Sequence, residues 1–189
     1  MAADARPLRA DARRNRERVL AAARELFARQ GPDVQMEDIA QRAGVGVGTL
    51  YRRFPTKEAL LSAIVFERFQ GFLEIARECR EIADPLQALH TLMLRQCEQT
   101  EHDAGFQLAA MRFSDLKWDG SAELINELND VTEEIIDRAV AAGVVRGDLR
   151  FGDLAMLLCG VASTMYFKPG VGPDWRRHLA IVVDGLRPA

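Results

Sequence analysis

Cysteine is scarce in this chain: Cys79, Cys97 and Cys159 are the only three in 189 residues. Their number is odd, their spacing is wide, and no paired Cys or Cys/His set suits a metal ion. That excludes a disulfide framework, and the thiols are expected to be reduced, buried and cytoplasmic. Histidine is equally sparse. His90 and His178 stand alone on helical patterns, and His102-Asp103, near Cys97, Glu98 and Glu101, reads as a polar helix end rather than a metal cluster. The chain has no Gly-x-Ser-x-Gly nucleophile motif, so an enzyme has little to recruit. No apolar run reaches the length of a membrane span, and no secretory core segment is read at the start. Alternating strand patterns are missing too, which leaves an all-α chain. No enzyme activity, cofactor, metal or membrane partner is expected.

What the chain does have is MEDIAQRAGVGVGTLYRRF at residues 36–54. Met36, Ile39, Ala40 and Ala43 recur at three- and four-residue spacing and give a short helix one apolar face. Gly44 interrupts it, and Val45 is expected as a buried plug in a tight turn. A second short helix then turns Leu50 and Phe54 inward. Small Ala40 lies four residues before Gly44, where crossing helices must approach closely. This pattern predicts a helix-turn-helix that holds its second helix out for the major groove of DNA. The run Gly44-Val45-Gly46-Val47-Gly48 is no dinucleotide loop, because a helix precedes it where that fingerprint needs a strand.

The flanks complete the unit. Residues 13–30 form an amphipathic helix with Val19, Ala22, Ala23, Leu26 and Phe27 on one face, ended by Gly31 and Pro32. On the other side Thr56 is the expected N-cap of a new helix, with Glu58 in its positive first turn. RERVLAAARELFARQG at 16–31 and DIAQRAGVGVGTLYRRFPTKEALL at 38–61 resemble the TetR/AcrR family of bacterial transcriptional repressors. The resemblance covers about the first third of the chain. It implies an all-helical homodimer of about nine helices, with a small DNA-binding head and a larger effector-binding body. Gln35 stands where the family usually has a capping Thr, and Gly46-Val47-Gly48 replaces a more polar start to the recognition helix.

Charge follows the same division. Through residue 60 there are 12 Lys and Arg against 8 Asp and Glu, a balance of +4; the rest holds 13 against 20, or −7. The basic patch is at the DNA end, and a polyanion responds to that patch rather than to the acidic average. Arg13 and Arg14, near the start of the first helix, can reach phosphates or the minor groove, and Gln35 joins them as a candidate contact. Thr49 can bond a phosphate or offer its methyl to thymine, while Tyr51 can reach a phosphate oxygen. Arg52 and Arg53 can neutralise phosphate or fork onto guanine, and Lys57 adds charge beside the amides that open the next helix. The resemblance supports Thr49, Tyr51, Arg53 and Lys57 as backbone contacts. Val47 and Gly48 sit where bases are approached and offer apolar contact and closeness, so shape and thymine methyls are expected to contribute to the readout.

Beyond Leu61 the pattern is helical and apolar on one face. Expected helices continue from Leu61 to about Ala76, then start at Asp84-Pro85, Ala104, Ser121, Asp153 and Asp174. Aromatic and sulfur side chains are numerous enough to line a ligand cavity. The candidates are Phe66, Phe69, Gln70, Leu73, Met93 and Cys97, with Phe106, Met111, Phe113, Trp118, Met165 and Tyr166 further on. For any single one, plain core packing is the simpler role. The last two helices offer Leu158, Met165, Leu179, Val182, Val183 and Leu186 as a face for an intersubunit four-helix bundle, or for packing within the protomer.

The expected organisation is a flexible basic arm at 1–12, a DNA-binding domain at 13–60 and an effector-binding and dimerisation domain at 61–189. The expected function is a cytoplasmic transcriptional repressor, homodimeric on double-stranded, near-palindromic operator DNA and released by a small, largely apolar effector. Two alternatives belong to other classes: a helical small-molecule-binding protein without specific DNA recognition, and an all-helical enzyme.

Overall fold

The computed structural model describes residues 5–102, 122–165 and 174–188. Among the described residues there are eight α-helices, one 3-10 turn and no strand. The helix expected over about 104–115 lies outside the described residues. No described helix is long and apolar enough to cross a membrane. The chain divides into two compact units within one helix, between Phe66 and Glu67.

The first unit opens with α1 (Ala5–Gln30), which starts eight residues before the expected Arg13. Its opening stretch is rich in Ala, Arg and Leu, good helix formers, and Pro7 falls in the first turn, where no amide donor is needed. The flexible arm expected over residues 1–12 is therefore helical from Ala5 onward. Val19, Leu20, Ala23, Leu26 and Phe27 are buried along one stripe of α1. Gly31, at φ 71°, turns the chain out of α1 into a short 3-10 turn, Gly31–Asp33. Helix α2 (Met36–Ala43) buries Met36, Ile39, Ala40 and Ala43, and α3 (Val47–Arg53) buries Leu50.

Between α2 and α3 the turn is a two-bond helix stop. Gly44 adopts φ 63°, ψ 40°, and its amide donates to the Gln41 carbonyl over 3.1 Å. The Val45 amide donates to the Ala40 carbonyl over 3.0 Å, so two carbonyls at the end of α2 are satisfied. Val45 itself is half-buried rather than the fully buried plug expected. Phe54 closes α3 in an extended conformation and is buried. An ion pair between Arg42 and Glu25, at 2.6 Å, links α2 to α1.

Helix α4 (Lys57–Arg80) begins at the expected cap: the Ala59 amide donates to Thr56 Oγ1 over 3.1 Å. The Glu58 carboxyl is held below its ordinary range, first by a hydrogen bond to its own backbone amide and then by Thr56. Leu60, Leu61, Ile64 and Val65 are buried on the part of α4 that belongs to the first unit.

The second unit contains the rest of α4, α5 (Pro85–His102), α6 (Ala122–Ala141), α7 (Phe151–Thr164) and α8 (Trp175–Gly185). Its core joins Leu73 and Ala76 of α4, Leu89, Leu92 and Met93 of α5, and Val131, Ile135 and Ile136 of α6 to Leu154, Val161, Trp175 and Leu179. Arg138 of α6 closes the C-terminal end of α4. Its guanidinium donates to the carbonyls of Arg80 (2.5 Å), Ile82 (2.6 Å) and Ala83 (3.2 Å). The last carbonyl of α4, the two carbonyls of the chain just beyond it and the negative end of the helix dipole are met by one cation. Asp84 caps α5 by accepting the Gln87 amide at 2.7 Å, as the Asp-Pro pair predicts.

Candidate nucleic-acid interface

Helix α3 has two sides. Leu50 is 1 % exposed and anchors the helix, while Val47 is 41 % and Tyr51 40 % exposed. Gly48, Thr49, Arg52 and Arg53 are exposed as well, and Lys57 at the start of α4 is half-buried. One anchored face and one open face carrying a hydroxyl, a phenol and two guanidinium groups make a recognition helix that can meet a polyanion. With Val47 and Gly48 at its start, the open face brings a branched apolar side chain and bare backbone close to a groove floor.

The other expected contacts fall in the same unit. Arg13 and Arg14 are exposed on α1, and each has a local acidic partner: Arg13 pairs with Glu17 at 3.5 Å and Arg14 with Asp11. Such exposed pairs are weak and exchange readily for phosphate. Gln35 is the N-cap residue of α2, but its side chain caps nothing; the amide nitrogen donates instead to the Asp33 carbonyl at 2.8 Å.

One feature of this face escaped the sequence. The Tyr51 hydroxyl donates to Glu37 Oε1 over 3.0 Å, from α3 to the first turn of α2. The Tyr51 phenol is pushed above its ordinary value, chiefly by this hydrogen bond to a carboxylate. A hydrophobic pattern finds the buried sides of α2 and α3; it is silent on which polar groups meet across their open sides.

In the second unit the ligand candidates separate. Leu73, Met93 and Cys97 are buried in its core, and Phe69 is half-buried against it, edge-on to Phe72 with ring centres 5.9 Å apart. Gln70 is exposed on α4, and Met165 is half-buried at the end of α7. Phe66 belongs to the first unit. Phe106, Met111, Phe113, Trp118 and Tyr166 lie outside the described residues. A surface groove of about 700 Å³ runs past Leu86, Leu89, His90, Met93, Val183 and Leu186, so among the described ligand candidates only Met93 borders it. Arg68 is buried on α4; it donates to Thr100 Oγ1 at 2.9 Å and lies 5.2 Å from the Phe72 ring centre.

The expected intersubunit face divides as well. Leu179 and Leu186 are buried in the protomer's own core, and Leu158, Val182 and Val183 pack against it half-buried. The open apolar residues of α7 and α8 are others: Met156 at 73 % exposure and Ile181 at 57 %. Gly160 and Cys159 share the exposed side of α7 with Met156, so Cys159 is not buried as expected. Cys79 and Cys97 are buried, and burial pushes the Cys97 thiol up to about 12.

A helix-turn-helix with an open, cationic second helix, set before a separate helical unit, defines a DNA-binding regulator. The chain belongs to the TetR family of bacterial regulatory proteins. The family description "Bacterial regulatory proteins, tetR family" matches residues 19–64, and "Transcriptional regulator SbtR-like, C-terminal domain" matches residues 84–188. A TetR transcription regulatory protein from Mycobacterium vanbaalenii is 34 % identical, with 96 % of this chain and 99 % of that one covered and a TM-score of 0.67. The HTH-type transcriptional repressor KstR2 of Mycolicibacterium smegmatis is 29 % identical over 191 residues, 90 % of either chain. The ketosteroid transcriptional regulator KstR2 of Mycobacterium tuberculosis shares the fold at 23 % identity, with a TM-score of 0.65 over 91 % of this chain and 94 % of that one.

Proposed function

We propose that the chain is a repressor that occupies a near-palindromic operator as a two-fold dimer and leaves it when a small, largely apolar molecule binds the second unit. The observation that carries the DNA half is the division of α3, with Leu50 anchored and Val47, Thr49, Tyr51, Arg52 and Arg53 open. Thr49, Tyr51, Arg53 and Lys57 serve as backbone contacts, Val47 and Gly48 approach the bases, and Arg13, Arg14 and Gln35 contact the flanking backbone. A helix of seven residues spans too few base pairs for useful selectivity, so two copies one DNA turn apart are needed.

The dimer surface in this reading is the outward side of α7 and α8, around Met156, Gly160 and Ile181. Two large apolar side chains left open beside small residues suit close packing of a four-helix bundle. The effector site lies among the apolar side chains of the body, with Phe69, Leu73, Met93 and Cys97 among its described members. A repressor role and an apolar effector are supported by KstR2, whose names describe a repressor and a ketosteroid regulator.

Operator and effector must be linked. An effector that prefers the DNA-incompetent state by about a hundredfold supplies roughly 2.7 kcal/mol of coupling, and the operator must weaken effector binding equally. The test is calorimetry of apolar compounds, ketosteroids first, with and without saturating operator recovered by genomic footprinting. Equal affinity in both conditions overturns the release mechanism, and no footprint at all overturns the operator reading.

A further inference from the structure

Tyr51 has one hydroxyl proton, and in this structure it is given to Glu37. A phosphate reaching Tyr51 needs that same proton, because a phosphate oxygen and a carboxylate oxygen are both acceptors only. The two cannot share the donor on good geometry. Nor can they sit side by side without cost: with Glu37 Oε1 3.0 Å from the phenol oxygen, a phosphate bonded to the phenol lies about 5–6 Å from the carboxylate. Glu37 is exposed in the first turn of α2 and Tyr51 is exposed on α3, so among the described residues the carboxylate is open to a duplex laid against α3.

We propose that Glu37 is an affinity-setting residue of the DNA interface, holding the Tyr51 hydroxyl in the free protein and opposing the phosphate that must displace it. The proposal rests on the reading of α3 as the recognition helix. Glu37 acts through Tyr51 and through its own charge, and the effect applies to any duplex because the phosphate backbone does not depend on sequence. Because the penalty is the same on every duplex, it lowers overall affinity and residence time and leaves the ratio between operator and other sites unchanged. The raised phenol of Tyr51 follows from the same hydrogen bond to the Glu37 carboxylate.

The experiment uses the full chain and one fixed 30-base-pair duplex, about three helical turns, of arbitrary sequence, with fluorescence anisotropy at several salt concentrations. Glu37→Gln keeps the shape and the acceptor but removes the charge; it is expected to bind about threefold more tightly per head, the factor for like charges 5–6 Å apart at the permittivity of water, and the gain should shrink as salt rises. In a Tyr51→Phe background the gain should fall to that of Asp38→Asn, a neighbouring acid in the same turn. Ultraviolet titration in a Tyr166→Phe background should show the Tyr51 phenol moving back down in Glu37→Gln while circular dichroism shows the chain still folded. Binding of Glu37→Gln equal to or weaker than wild type, with the fold intact by circular dichroism, overturns the proposal and makes Glu37 a support of Tyr51 instead. Wild-type protein that fails to bind the duplex even at low salt overturns the DNA reading itself.

Discussion

The Val45 amide and the Ala40 carbonyl meet over 3.0 Å, and this bond, with the neighbouring one from Gly44 to Gln41, ends α2 and sets the direction in which α3 leaves. Everything on the open side of α3 inherits its aim from that corner. The corner in turn depends on Gly44 holding a left-handed backbone at φ 63°.

Gly44→Ala should therefore lower stability through the backbone alone. Among the described residues a Cβ at this position meets only Arg18 Nη1, at 3.6 Å, an ordinary contact. The cost is the left-handed conformation, about 1–2 kcal/mol, and Gly44→Asn should lose less. Denaturant melts followed by circular dichroism check both, and wild-type stability of Gly44→Ala would contradict the assignment of the turn.

Arg138 should matter more than an ordinary half-buried cation. Replacing it with Ala removes donors to the carbonyls of Arg80, Ile82 and Ala83 at once, and about 2 kcal/mol of stability should go with them. Arg138→Lys should recover only part, since an ammonium cannot fork across several carbonyls. The same melts measure it.

The outward side of α7 and α8 can be separated from the inward side by charge. Met156→Glu and Ile181→Glu place a carboxylate on open surface, so each protomer should stay folded while the dimer dissociates. Leu179→Glu buries a charge at a position 2 % exposed and should unfold the second unit instead. Sedimentation equilibrium and thermal melts distinguish these results.

How much of this was legible beforehand depended on which side of a helix was asked about. Ile39, Ala40, Gly44 and Leu50 announce the head because each has a steric reason for its identity, and Thr56 and Asp84 announce their helices because a cap is a local hydrogen bond. The Glu37–Tyr51 bond was not legible; it spans 14 residues and depends on how α2 crosses α3. Met156 lies on a helix apolar on both sides and Ile181 stands among exposed Arg177 and Asp184, so hydropathy singles out Leu179 and Leu186, which the protomer's own core takes, and passes over Met156 and Ile181. Pro7 hid the start of α1, because a proline reads as a break unless the helix begins just before it.

The buried thiol gives a pH prediction. Cys97 titrates at about 12 in the folded protein against an ordinary 9.0, with burial the main cause. For an acid whose folded value is raised, the unfolded chain loses its proton first, so stability is full below pH 9.0 and falls as pH rises from there towards about 12. Cys97→Ala should flatten that alkaline loss, although it removes some packing at every pH. At mildly alkaline pH, alkylation should label exposed Cys159 and spare buried Cys79 and Cys97 until denaturant is added.

The central claim is that the open face of α3 grips the DNA backbone, and Arg53→Ala tests it most directly. Binding to operator and to an unrelated duplex, followed by anisotropy across a range of salt, should weaken together. The salt dependence should flatten by about one phosphate contact per subunit, whereas Val47→Ala should change sequence preference with the slope nearly unchanged. An Arg53→Ala protein that binds both duplexes as tightly as wild type at every salt concentration would contradict the account.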